Sequence, residues 1–185
     1  MKTPSRRHPA AFTLIELMAV IVIIVILAGI VVGSMGFVNE KQARSKAKVQ
    51  IDLLSKALED YKMDNGTYPA TGNSTSPAAS NSNVLWKALY GDGAADATGA
   101  KKIYLAELDP NNNKQGWTQS TSGTISIVDP WGNHYRYRTA TSSTGAANAA
   151  TQNPDFDLWS AGKDGRSDSS PEMSKPLNKD DIRNF

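Results

Sequence analysis

From Leu17 to Val38 the chain runs for 22 residues without a charge, and a single glutamate, Glu16, stands at the threshold of that run. As an α-helix rising about 1.5 Å per residue the run spans roughly 33 Å, enough to cross the hydrocarbon core of a bilayer once. A carboxylate at the edge of such a segment costs free energy unless something pairs with it, so Glu16 calls for a partner. Taken alone, the residue is almost equally well read as solvated at the headgroup level. A secretory signal peptide is the competing reading of the whole segment, since it too has a basic start and an apolar run. Against it, the run is long and leads straight into a charged helical pattern with no small-residue cleavage site that stands out, although Ala28-Gly29 and Gly33-Ser34 keep it open.

The rest of the 185 residues leave room for one ordinary soluble domain on that anchor, but not for two independent cores. There is no cysteine, so packing or a bound ion must hold an exported fold together. The formal charge is +2; without Lys2, Arg6 and Arg7 of the first eleven positions, 17 basic residues face 18 acidic ones. A balance this close to neutral does not point to nucleic acid.

The basic leader ending at Ala11, followed by Phe12-Thr13-Leu14-Ile15-Glu16-Leu17-Met18, resembles the class III signal of type IV pilins and type II secretion pseudopilins. The resemblance implies cleavage by a membrane prepilin peptidase between Ala11 and Phe12, N-methylation of Phe12, and Glu16 as fifth residue of the mature chain. Ala11 departs from the glycine usual before the cut. The cut would create an α-ammonium at Phe12, the strong cation that can neutralise the Glu16 carboxylate of a neighbouring subunit. Side-by-side helices would then be rewarded for one axial offset, so that a buried charge sets register rather than raw stability. Basic residues flank the span on both sides, with Lys41, Arg44, Lys46 and Lys48 beyond it, so charge alone does not orient it. The leader motif implies a C-terminal domain in the periplasm and a single pass through the bacterial inner membrane. Where the family often carries proline this chain has Gly33, then Gly36, which either soften the helix or allow close packing along with Ala28 and Gly29.

Beyond Val38, Ala47, Ile51, Leu54, Leu58 and Tyr61 recur at helical spacing, with Lys46, Lys48, Gln50, Asp52, Lys56 and Glu59 on the other faces. The stripe must face a core, and Asp64-Asn65-Gly66 with Pro69 ends it, predicting one helix from about Thr13 to Met63. The stretch 70–83 reads as a surface loop, Val84–Tyr90 as a short helix stopped by Gly91, and 91–100 and 139–152 as insertions. Three β-rich segments follow: Thr124–Val128, Asn133–Arg138 and Phe156–Ser160. Asp129-Pro130-Trp131-Gly132 suits a turn, predicting a hairpin between the first two. Alternation over 134–138 puts the tyrosines on one face and His134, Arg136 and Arg138 on the other, read as a solvated face rather than a nucleic-acid patch.

Leu58-Tyr61-Asp64-Gly66-Tyr68-Pro69, Asp129-Pro130-Trp131-Gly132-Asn133 and the run Asp155–Gly165 (DFDLWSAGKDG) resemble the major pseudopilin family of type II secretion systems. The resemblance implies an α+β fold: a long N-terminal helix packed on a small antiparallel sheet, with a C-terminal loop. The organisation expected is a leader (1–11), a membrane and assembly helix (12–38) and a periplasmic domain (39–185). Within that domain lie the stalk helix (39–65), a short helix with loops (66–123), the sheet (124–160) and the acidic loop (161–185). The resemblance also implies that the loop binds calcium through the side chains of Asp164 and Asp180 and the backbone carbonyls of Ala161 and Arg166. The loop here is longer than the family pattern, so Asp168 or Asp181 can stand in for Asp180. A solvated acidic loop is the alternative. Hard cations of this kind take six to eight oxygens at about 2.3–2.6 Å.

No nucleophile has a base near it in sequence, no glycine-rich phosphate loop occurs, and the two histidines are His8 and His134, so no enzyme is expected. The function implied is a structural subunit that polymerises into a helical periplasmic fibre. Its partners would be copies of itself, the prepilin peptidase, the inner-membrane assembly platform, minor pseudopilins and, before assembly, membrane lipid. The alternatives are a type IV pilin for adhesion or motility, many of which carry a disulfide this chain cannot form, and a minor subunit. The latter would capture DNA or an effector through Lys101, Lys102, Trp117 and the Arg136/Arg138 face.

Overall fold

The computed structural model describes residues 12–71, 81–91, 102–142, 144–168 and 176–185, the side chains of 33–35 and 176 excepted. The leader, most of the 70–83 loop, residues 92–101 and residues 169–175 of the acidic loop lie outside the described residues. The chain divides into two compact units, one up to Lys41 and the other from Gln42 onward.

Helix α1, Leu14–Asn65, is the long helix the pattern predicted, and its backbone stays helical through Gly33 and Gly36. In the first unit every large apolar side chain from Phe12 to Val32 is exposed, a surface that water tolerates poorly over such a length. The helix is long and apolar enough to cross a membrane.

In the second unit the stripe behaves as its spacing demands. Ala47, Ile51, Leu54, Ala57 and Leu58 are buried and Tyr61 packs at the edge of the core. Gln50 corrects the polar-face assignment: it is 1% exposed, because the buried Tyr135 hydroxyl needs an acceptor and donates to its Oε1 at 2.8 Å. The helix ends at the expected signal, with the Gly66 amide closing on the Lys62 carbonyl at 2.7 Å. The short helix is α2, Ser82–Trp86, continued by a π-helical turn over Lys87–Gly91. Leu85 and Leu89 from it join Leu105, Leu108, Trp117, Ile127 and the stalk residues in one core.

The strands form two small sheets. β1 (Thr118–Thr121) pairs antiparallel with β2 (Thr124–Ile127), while β3 (Arg136–Thr139), β4 (Phe156–Ser160) and β5 (Ile182–Arg183) make the second, in that order. The predicted hairpin is corrected here: between the first two segments only the Val128 to His134 bridge remains, and β3 pairs with β4 instead. The turn itself forms, with the Gly132 amide donating to the Asp129 carbonyl at 2.9 Å.

The solvated strand face is also corrected. Arg138 is 4% exposed, and its Nε meets the Asp157 carboxylate on β4 at 3.1 Å while its guanidinium lies 4.8 Å from the Trp159 ring centre. Asp157 further accepts the amides of Gln152 and Asn153, at 3.0 and 2.9 Å, so the supposed insertion is tied back over this face of the sheet. With both faces covered, alternation no longer separates wet from dry positions.

Candidate functional site

Two regions carry the residues singled out from sequence. The first is the start of α1. Four amides of a helix's first turn lack intrahelical acceptors, and Thr13 with Glu16 satisfies two of them reciprocally. The Thr13 amide and hydroxyl both donate to Glu16 Oε2, at 3.0 and 2.9 Å, and the Glu16 amide donates to Thr13 Oγ1 at 3.3 Å. This is a capping box, and Thr13 is a capping residue that the Thr-x-x-Glu pattern before an apolar run signals and that Glu16 alone does not. Within one chain Glu16 therefore has a partner already, and its Oε1 takes part in none of these bonds. Phe12, four residues before Glu16, is 84% exposed. Ala11 lies outside the described residues.

The second region is the segment that follows β4. Its frame is a closed ring of hydrogen bonds. The Asn133 amide donates to Asp129 Oδ1 at 2.8 Å, the Ser160 hydroxyl to Asp129 Oδ2 at 2.5 Å, the Gly162 amide to Ser160 Oγ at 3.1 Å, and Asn133 Nδ2 to the Gly162 carbonyl at 2.7 Å. Burial pushes the Asp129 carboxyl above its ordinary range, against the pull of these donors. Arg136 adds a bond from its guanidinium to the Gly165 carbonyl at 2.9 Å.

On this frame the acidic residues separate into distinct roles. Asp164 and Asp180, 16 residues apart in sequence, come together: the Asp164 amide donates to Asp180 Oδ2 at 3.3 Å. Asp164 Oδ1 also accepts the Arg166 amide at 2.8 Å. Ala161 is fully buried at the entrance to this turn. Asp181 is engaged elsewhere, accepting Ser167 Oγ at 2.9 Å and Arg183 at 3.0 Å with its side chain 1% exposed, and burial raises its carboxyl's pKa. Asp168 is held through its amide, which donates to Asn178 Oδ1 at 2.7 Å.

Calcium needs many oxygens, and among the described residues no three Asp, Glu, His or Cys side chains converge. A hard cation beside Asp164 and Asp180 would therefore need oxygens other than side-chain carboxylates to complete its shell. Gly162 makes the pair compact: at φ 64° it approaches Asp180 so closely that a Cβ would sit 2.6 Å from both the carbonyl oxygen and Oδ2 of Asp180. Carboxylates held this close are the kind of donor a hard cation takes.

The basic residues proposed for capturing DNA do not make an open face. Lys102 pairs with Asp64, Trp117 is buried, Arg138 is buried against Asp157, and Arg136 serves Gly165. Lys101 lies outside the described residues.

Comparison with known proteins adds the family. Residues 6–32 match the prokaryotic N-terminal methylation motif. Residues 37–107 and 104–178 match the family described as type II secretion system (T2SS), protein G. The chain is 33% identical over 161 residues to the type II secretion system core protein G of Pseudomonas aeruginosa, covering 87% of this chain and 88% of that one. It is 34% identical over 154 residues to the protein of the same description from Escherichia coli K12, covering 83% and 81%. Among solved structures, the major pseudopilin from the type 2 secretion system of enterohaemorrhagic Escherichia coli aligns with a TM-score of 0.43 at 21% identity, over 82% of this chain and 93% of that one. With family matches along most of its length and relatives a third identical over most of theirs, the chain belongs to the type II secretion system protein G family.

Proposed function

We propose that this chain is a structural subunit of the periplasmic pseudopilus of a type II secretion system, stored in the inner membrane and polymerised from it. The single observation that carries this is the arrangement at the start of α1: an exposed Phe12, a Glu16 carboxylate held ready by Thr13, and an apolar helix with no cover of its own. Cleavage between Ala11 and Phe12 would leave an ammonium at Phe12, which a separate methyl transfer then modifies, and the Glu16 oxygen not bonded by Thr13 can accept its hydrogen bond from a neighbour. Pairing of two such charges in a dry helix bundle penalises any other axial offset, which is how one acid sets fibre register. The exposed apolar surface of each helix is then buried against its neighbours rather than in lipid.

The chain acts by assembling, not by catalysis. Its partners are copies of itself, the prepilin peptidase that processes it, the assembly platform and minor pseudopilins. Calcium at Asp164 and Asp180, with the carbonyls of Ala161 and Arg166, would clamp the C-terminal segment, and the approach of those two aspartates supports it. Asp181 and Asp168 stand behind that pair, Asp181 being held by Arg183. Substituting Glu16→Ala in the full chain tests the assembly role. The variant should insert in the membrane and be processed, yet build no fibres, and fibres at the parent's yield would contradict the pairing.

A further inference from the structure

The Asp129–Asn133 turn has no place in the assembly chemistry, yet it is built with more care than a surface turn needs. Asp129 is 2% exposed and both its oxygens are hydrogen-bonded. Asn133 uses its amide, its carbonyl and its side chain: the carbonyl accepts the Asp129 amide at 2.8 Å, and Nδ2 donates to the Gly162 carbonyl at 2.7 Å. Its carboxamide also lies where a Cβ on Gly165 would be, 2.7 Å from Oδ1, so Gly165 is closed against it at φ 67°. Gly162 and Gly165 bracket Asp164, and Gly162 is packed on Asp180. The Asn133 carboxamide therefore touches both ends of the turn that presents one aspartate to the other.

We propose that Asn133 is a positioning residue for the cation site, clasping the Gly162–Gly165 turn so that Asp164 faces Asp180, with Arg136 as its second clasp at Gly165. This rests on the calcium reading given above. The chemistry is that of an outer shell: a donor that holds a ligand-bearing backbone in place removes the ordering cost from the binding step, and such partners change metal affinity about 10–100-fold when lost. The carbonyls of 162 and 165 are engaged by Asn133 and Arg136, and are not the ones proposed as ligands.

The test uses the full chain in detergent micelles, with calcium itself as the probe. The calcium dissociation constant comes from competition with a chromophoric chelator, and the melting temperature is read in excess chelator and in saturating calcium. Asn133→Ala should weaken calcium about 10–100-fold, while its melting temperature in chelator falls less than its melting temperature in calcium. Arg136→Met, at a half-buried site, should weaken calcium in the same direction and serves if Asn133→Ala does not fold. Unchanged affinity in both variants overturns the proposal. So do equal losses of melting temperature in chelator and in calcium, which mark a purely structural role. A parent chain that binds no calcium at all overturns the calcium reading itself, and this proposal with it, and that result is told apart by needing no variant.

Discussion

Replacing Asp157 by alanine probes the least expected feature of the fold. Its side chain is 0% exposed and that of Arg138 5%, so removing the carboxylate strands a guanidinium away from water. It also frees the Gln152 and Asn153 amides, which lie nearer the surface and can recover bonds to water. Breaking a buried pair from one side costs about 3–5 kcal/mol, because the remaining charge is uncompensated. At about 2–4 °C per kcal/mol for a domain of this size, the melting temperature should fall by roughly 6–20 °C. Thermal unfolding followed by circular dichroism, in detergent, reads this directly. Adding Arg138→Met should restore about 1–3 kcal/mol relative to the sum of the single variants, since the two sites share one interaction. A drop under about 3 °C for Asp157→Ala, or strict additivity of the pair, would refute the buried ion pair and return Arg138 to the solvent.

Chelation should lower the melting temperature of the parent and added calcium restore it: at a free calcium one hundred times the dissociation constant, about 2.7 kcal/mol is gained by mass action. Identical melting curves in the two conditions would remove the cation. Leu54→Ala, at a position 0% exposed in the middle of the stalk stripe, should cost about 3–4 kcal/mol in chemical denaturation, whereas a cost under 1 would mean the stripe is not core. The hydrogen bond from Lys102 holds the Asp64 carboxyl below its ordinary range. A depressed folded value means the contribution is complete above the unfolded pKa, near 3.9, and is lost as pH falls through the folded one. Melting temperature against pH should therefore fall less steeply on the acid side in Asp64→Asn, and parallel curves would contradict the pairing.

The helix was legible because a 3.6-residue period and an uncharged run are local signals, and both survive into the structure from Leu14 to Asn65. The one polar residue misassigned in the stripe, Gln50, answers to Tyr135, 85 residues away, and no local pattern reports that. β1 escaped notice because Thr118-Gln119-Ser120-Thr121 has no apolar alternation, and β5 because it is two residues long. Alternation in 134–138 misled for a different reason: it presumes one wet face, and the segment tied to Asp157 dries the second. In the cation loop the resemblance put Asp164 and Asp180 first and left Asp168 or Asp181 as stand-ins for Asp180, with nothing local to decide between them. The structure adds long-range partners that no spacing reports: Arg183 holds Asp181, and the Asp164 amide reaches the Asp180 carboxylate. Thr13 was legible and overlooked, its capping box hidden inside a motif valued for Glu16 alone.

Everything assigned to Glu16 depends on a free, methylated amino group appearing at Phe12. Intact-mass spectrometry of the protein purified from membranes of cells carrying its secretion machinery measures this in one step. The mass should be that of residues 12–185 with one amino hydrogen replaced by a methyl group. A mass that retains the first eleven residues, or one that begins beyond Ala28 or Gly33, would contradict the account.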